Sequence, residues 1–545
     1  MTTFRKSAGV ALTAVAAALA LTACGAGNTD NKTTSSETAS AAESSAAQVE
    51  TASSELIAGT TDKVTFLDPA GSYDNGSYHV EIQVYQFLYG FKPGDASPQP
   101  DAAEKCEYTS DTVLQCKLKS GLMFANGHAL TASDVKVSFD RQLEIYYDNG
   151  PASLLSNLAS VDIVDDLTVN FNLKAGPDQT FLQILATPVG PIVDEEVFSA
   201  TELTSDADIV AGNAFSGPYV IDSWKINDTV HLTPYPAYNG VQGEVQNDGV
   251  TITYYSESTN LKLALENGDI DMALRSLTPT DIESLKTNSN VKVWEGPGGE
   301  IRYIVFNLNT MPGDTAEQKL AVRQAIASVV DREALSTEVY KGLYTPLCSW
   351  VPDGLPGANT AACDTYPLDT AKAAQYLSDA GVATPVVLNL QYNPDHYGSS
   401  SDQEYARIKA QLEASGLFTV NLQSTEWVQY SADRSADVYP LYQLGWFPDY
   451  PDADNYLAPF FVKDNFLNNH FDEPEVQELI AKEQTTADAT ERANVIGEIQ
   501  TVMAEKYLST LPLLQGTQVL AAATDVQDIV LDASFQFRYA TVSKA

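Results

Sequence analysis

The sequence predicts an α/β protein folded in several lobes. Strand-like alternation and helical spacing are interleaved along the whole chain after residue 55, the pattern expected where helices cover sheets. Residues 56–545 are too many for one ordinary hydrophobic core, so two or three globular units are expected. No internal repeat of the kind that builds solenoids is visible.

The first 23 residues belong to targeting rather than to the fold. Arg5-Lys6 gives a positive start, Ala8 to Leu21 an apolar core, and Leu21-Thr22-Ala23-Cys24 a small-residue end. That ending resembles a bacterial lipobox, which implies cleavage before Cys24 and lipidation of that cysteine; the alternative is an ordinary signal peptide that happens to hold a cysteine. Residues 24–55 are Ser-, Thr-, Ala- and acid-rich, too polar to order themselves. As a flexible tether they would reach ~30 Å. No later stretch has the run of about eighteen apolar residues that a spanning helix needs.

Composition narrows the function classes. A net charge of −41 disfavours nucleic acid, whose phosphates it would repel. The 27 tyrosines offer flat apolar area with a hydroxyl, useful in a ligand cleft. Beyond Cys24 four cysteines remain, an even number in an exported chain, with three possible pairings. Local pairing is favoured: Cys106 and Cys116 flank a turn in alternating sequence, and Cys348 and Cys363 bracket a Pro/Gly loop. The scattered histidines and wide cysteine spacing argue against zinc, and no cofactor is expected.

In chain order, Val64 to Pro69 alternates like a strand and Ala70 to Tyr78 reads as a polar, Gly-rich loop. Val80, Val84, Phe87 and Leu88 then fall at helical spacing up to Gly90. Residues 105–118 read as a hairpin. Thr131 with Asp134 is a helix N-cap signal before Val135, Phe139 and Leu143. Strands are expected at Val169–Leu173, from Tyr219, at Thr251–Tyr255, Ile301–Asn307, Val386–Tyr392 and Tyr439–Leu444, and near Leu511 and Val519. Helices are expected at Leu261–Glu266 before Asn267-Gly268, around Val322–Val330, at Ala371–Ala380 before Gly381, through Tyr405–Leu412, around Val476–Ile480, and at Ala493–Met503.

The most informative loop follows Tyr439–Leu444: Gly445-Trp446-Phe447-Pro448-Asp449-Tyr450-Pro451-Asp452-Ala453-Asp454-Asn455-Tyr456. Two prolines stiffen it, and aromatic walls beside a carboxylate suit a small cationic or amphiphilic ligand. An acidic surface turn is the plain alternative. The loop lacks the glycine and closing glutamate of a calcium-binding EF-hand. No nucleophile elbow, zinc-protease helix, P-loop or dinucleotide fingerprint is present, and abundant carboxylates make a glycosidase pair uninformative.

Several stretches in order resemble the extracytoplasmic solute-binding proteins of peptide and nickel ABC transporters, family 5. They are Thr65 to Ala70, Leu118 to Phe124 with Leu130 to Val135, Ser216 to Tyr219 with Tyr238 to Gly240, Leu265 to Asp271, Val322 to Ile326 with Val330 to Glu333, and the Trp446 loop. The resemblance spans most of residues 60–520. It implies a two-lobed periplasmic-binding-protein type II fold with the ligand cleft between the lobes and an extra subdomain in the first. The first lobe would hold 56–75, 188–296 and 511–545, the extra subdomain 76–187, and the second lobe 297–510. It also implies a monomeric, non-enzymatic receptor on the outer face of a bacterial membrane, delivering peptides to a permease and its ATPase subunits.

In peptide-binding members the aspartate of the Gly-Trp-x-x-Asp-Tyr stretch pairs with the ligand's α-amino group, which here implies Asp449 with Trp446 as a pocket wall. Phe447, Tyr73, Asn75, Gly76, Tyr78, Arg302, Tyr392 and His396 complete the candidate contacts, although a loop histidine is commonly solvated and an arginine leaving a strand is commonly a structural ion-pair member. Dipeptide-binding relatives hold the ligand carboxylate with an arginine after the strand corresponding to 386–392. Asn393 to Ser401 contains none, which points to longer peptides or another solute. Rival readings are a receptor for oligosaccharides or nickel complexes, a secreted hydrolase, and an extracellular chaperone or adhesin.

Overall fold

A computed structural model describes residues 54–275, 277–398 and 400–545. The expected signal segment, Cys24 and all but the last two residues of the tether lie outside them. No helix among the described residues is long and apolar enough to cross a membrane.

Two mixed sheets carry the molecule. The first has seven strands in the order Val291–Gly296, Gln518–Ala523, Met272–Leu274, Leu56–Thr60, Val250–Tyr254, Thr229–Pro234 and Tyr219–Lys225. Its central strand, Leu56–Thr60, runs parallel to both neighbours and is almost wholly buried, which fits its unbroken small and apolar sequence.

The second sheet has six strands in the order Tyr344–Pro346, Thr510–Gly516, Ile301–Phe306, Leu441–Trp446, Val386–Tyr392 and Phe418–Ser424. Ile301–Phe306 is buried at every residue and sits between two antiparallel partners. Helices Ala316–Ala327, Ser401–Ala414 and Ala489–Val502 cover this sheet with the apolar residues their spacing predicts, including Val322, Ile326, Ile408, Leu412, Val495 and Ile499.

A smaller antiparallel sheet, Ala103–Ser110, Val113–Leu118, Thr168–Leu173 and Leu158–Asp165, forms a third unit. Helix Ala132–Ile145 packs on it through Phe139, whose ring meets Phe171 edge-on at 4.9 Å. The expected Thr131–Asp134 capping box is present. Both local cysteine pairings are made, Cys106–Cys116 across the hairpin and Cys348–Cys363 around its loop.

Four expectations need correction. Val64 to Pro69 is not a strand: Asn227 takes the Val64 amide and carbonyl at 2.8 and 3.0 Å, so side-chain bonds replace a ladder. The next helix spans Asn75–Val84 rather than running from near Val80 to Gly90: Asp74 caps it through the Ser77 amide at 2.8 Å, and the chain turns extended at Tyr85 toward the strand Tyr89–Phe91. Val80, Val84 and Tyr85 lie in the first lobe's core, so this stretch packs with that lobe rather than with the 76–187 subdomain. The chain also returns to the first sheet at 517 rather than 511, because Thr510–Gly516 pairs with Ile301–Phe306.

A buried ion pair ties the third unit to the first lobe. Arg141 grips Asp68 with both guanidinium nitrogens at 2.7 Å, the two side chains being 1% and 0% exposed. Breaking such a pair leaves an uncompensated charge. Arg141→Leu should therefore destabilise the protein by about 3–5 kcal/mol in urea denaturation. A loss below about 1 kcal/mol would show that Asp68 is satisfied by its backbone donors at Ala70 and Thr204 alone.

Candidate functional site

Between the two sheets lies a cavity of about 500 Å³, within the range of small-ligand pockets. Tyr78, His79, Arg275 and Phe535 wall it from the first lobe, and Arg302, Tyr344, His396 and Phe447 from the second. The chain passes between the sheets at residues 297–300 and again at 517. These crossings touch: a Cβ on Gly298 would lie 2.1 Å from the Gly516 carbonyl oxygen, so this approach requires a glycine.

The loop after Leu441–Trp446 meets every part of the molecule. Trp446, the last residue of that strand, packs on Phe460 and Phe466 with ring centroids 5.3 and 5.4 Å apart. Phe447 lies 5.1 Å from the Arg275 guanidinium, which also sits 5.2 Å over Phe535 and pairs with Asp62 at 2.9 Å. Tyr450 is buried in the core of the third unit. Asp452 takes Arg492 through two oxygens at 2.6 and 2.8 Å and accepts from Gln183 of the third unit at 2.7 Å. The Tyr456 hydroxyl donates to the Gly299 carbonyl at 2.7 Å, joining the loop to the first crossing.

Asn455, 2% exposed, organises this loop. Its Oδ1 accepts from the Trp446 indole N–H and the Asp449 amide, both at 2.9 Å. Two donors on one oxygen fix the amide orientation, so Nδ2 donates to Asp449 Oδ2, at 3.1 Å. The other carboxylate oxygen accepts from the Tyr73 hydroxyl of the first lobe at 2.6 Å. Burial raises the Asp449 carboxyl above its ordinary value, and the bonds from Tyr73 and Asn455 partly offset that. Among the described residues no lysine, arginine or histidine pairs with Asp449.

Asn75, Gly76, Tyr78, Arg302, His396 and Phe447 line the cavity as expected candidates. Asp449, Trp446, Tyr73 and Tyr392 do not. Trp446 is drawn into its own lobe because the strand runs on through it, and Tyr392 stacks on Tyr405 at 5.6 Å. Asp449 and Tyr73 meet beside the cavity, each two residues from a lining residue. Arg302 is a structural ion-pair member, 3% exposed, paired with Glu300 and donating to the Tyr397 carbonyl at 2.6 Å. His396 lies flat on Trp427 at 3.8 Å. His79 is held neutral by burial, with Arg275 adding to the effect, its pKa lowered to about 4.

Sequence reasoning missed His79, Arg275, Tyr344 and Phe535. The alternating Phe535, Phe537 and Tyr539 were a readable signal. Arg275 carried none, since its place depends on a left-handed backbone, φ 55°, directly after a strand end.

Under the second lobe's wall Glu404 is 0% exposed and accepts from Tyr340, itself a lining residue, at 2.9 Å. Burial pushes its pKa up to about 7, against the pull of Arg302. The native state therefore holds this proton more tightly than the unfolded chain. The stability it supplies is present below the ordinary glutamate value and lost as pH rises through about 7. Glu404→Gln should raise the melting temperature relative to wild type at pH 8 and change it little at pH 5. An equal shift at both pH values would overturn the assignment.

Two α/β lobes joined by touching crossings, with a cavity between them, define a two-lobed solute receptor. Residues 97–468 match the family described as bacterial extracellular solute-binding proteins, family 5 middle, and the chain belongs to that family. Its members are solute-binding proteins rather than enzymes. The chain is 25% identical over 505 residues to the probable D,D-dipeptide-binding periplasmic protein DdpA of Escherichia coli K12, covering 90% of this chain and 94% of that one. It is 26% identical over 530 residues to heme-binding protein A of Haemophilus influenzae, covering 90% and 91%. The fold is similar to that of HbpA2 from Haemophilus parasuis, with a TM-score of 0.76, 20% identity and coverage of 90% and 100%. It is also similar to a dipeptide-binding protein from Pseudoalteromonas sp. SM9913 in complex with Met-Leu, with a TM-score of 0.75, 20% identity and coverage of 90% and 100%.

Proposed function

We propose that this chain is the substrate-binding receptor of an ABC importer, capturing peptides between its lobes and delivering them to a membrane permease served by ATPase subunits. It would act as a monomer outside the cell, held to the membrane by lipid on Cys24. The observation that carries the peptide reading is Asp449: a covered carboxylate at the lobe boundary with two neutral donors and no cation of its own among the described residues. A desolvated carboxylate gains most from a charged donor, and a peptide's α-ammonium supplies one. The names of relatives that bind D,D-dipeptides or glutathione support the same class.

Phe447, Tyr78, Asn75, Gly76 and His396 would then contact the rest of the ligand in the cavity. Arg302, committed to Glu300, would shape the wall rather than hold a ligand charge. A second reading, a non-peptide solute, draws support from the heme-binding relative and the aromatic walls.

Thermal melting against free peptides, N-acetylated peptides, oligosaccharides, heme and nickel separates these readings. A ligand at 100-fold its Kd adds about 2.7 kcal/mol, a clear shift. Free peptides should stabilise the protein, and both N-acetylation and Asp449→Asn should abolish the effect. Affinity should fall on acidification, starting above the ordinary aspartate value of ~3.9, because the raised carboxyl protonates early and loses its charge. Stabilisation by heme, nickel or sugars alone would end the peptide reading.

A further inference from the structure

The two donors on Asp449 differ in kind. Asn455 belongs to the same loop, is 2% exposed, and is locked by the Trp446 indole and the Asp449 amide. Tyr73 comes from the opposite lobe, in the loop before the helix Asn75–Val84, and is 38% exposed. Asn455 therefore cannot leave the carboxylate without unseating the strand end, whereas Tyr73 can swing away at little packing cost. Burial and the neighbouring carboxylate push the Tyr73 hydroxyl up, so it keeps its proton and donates throughout the working pH range.

We propose that Tyr73 is a specificity-determining residue that occupies the ammonium position on Asp449 and admits only a donor better than itself. This rests on the peptide reading above. A neutral donor, such as a sugar hydroxyl or the amide of an N-acylated peptide, would exchange one neutral donor on the carboxylate for another and gain nothing. A protonated amine instead replaces a neutral donor with a charged one, adding the attraction of opposite charges to a hydrogen bond the phenol can make only from its neutral form. Tyr73 thus turns a carboxylate that would accept any donor into one selective for cations. Because the phenol reaches across from the other lobe, the same exchange removes one link between the lobes and supplies another through the ligand.

The test measures binding of an equimolar tri- to pentapeptide library, free and N-acetylated, to the full mature protein and its Tyr73→Phe and Asp449→Asn variants by calorimetry. Melting of each variant confirms folding. Wild type should prefer the free library, and Tyr73→Phe should reduce that preference by roughly tenfold, chiefly by admitting acetylated peptides. Asp449→Asn should erase the preference through loss of the free peptides. If Asp449→Asn behaves so while Tyr73→Phe keeps the wild-type ratio, the gate is overturned and the anchor stands. If Tyr73→Phe instead weakens free and acetylated peptides equally, Tyr73 is a ligand contact and not a gate. If wild type binds neither library, or Asp449→Asn leaves free-peptide binding unchanged, the peptide anchor falls and the gate falls with it.

Discussion

The arrangement depends on one buried amide. Asn455 gathers the indole of Trp446 and the backbone of Asp449 on one oxygen and spends its nitrogen on the Asp449 carboxylate. Without it, an aspartate in a proline-flanked loop would have no reason to present a fixed acceptor. Everything else about the loop builds on that fixed point: Phe447 reaches the first lobe, Tyr450 the third unit, and Tyr456 the first crossing. A segment of about a dozen residues thereby touches both lobes and the third unit.

Charges near the cavity are largely committed to one another. Arg275 belongs to Asp62 and two aromatic rings, and Arg302 to Glu300 and a backbone carbonyl. The histidines on the wall are neutral near pH 7, His79 by burial and His396 by burial together with Arg302. What remains is an aromatic chamber with the Asp449 carboxylate beside it and the Asp395 carboxylate, held by Asn393 and the Trp427 amide, on its wall. Shape and apolar contact would then govern the body of the ligand, and one charge its end.

The sequence was legible where short-range physics decides. Capping residues, hairpin cysteines and alternating runs placed Ala132–Ile145, the Cys106–Cys116 pair and Val386–Tyr392 correctly, because each follows from neighbours within a few residues. Val64 to Pro69 misled because alternation does not reveal whether a partner strand exists, and Asn227, far along the chain, took its backbone instead. The site divided in the same way. Asp449 and Phe447 were visible in an unusual loop, whereas the roles of Tyr73 and Asn455 emerge only once the lobes meet. The resemblance made Trp446 a pocket wall, whereas its strand, expected to end at Leu444, runs two residues further and through it.

The touching crossings have a consequence for how the chain is made. Residues 301–516 are a single insertion whose ends enter and leave at one point, and Gly296 and Gln518 on either side of it are register partners in the first sheet. Val291–Gly296 pairs with Gln518–Ala523 and with no other strand in that sheet. The first lobe emerges from synthesis early yet waits for more than two hundred residues before its edge can close. The second lobe, contiguous and complete by Gly516, has all its strands in hand before that closure. Chain order thus makes every strand of the second sheet available before the strand that closes the first sheet's edge exists.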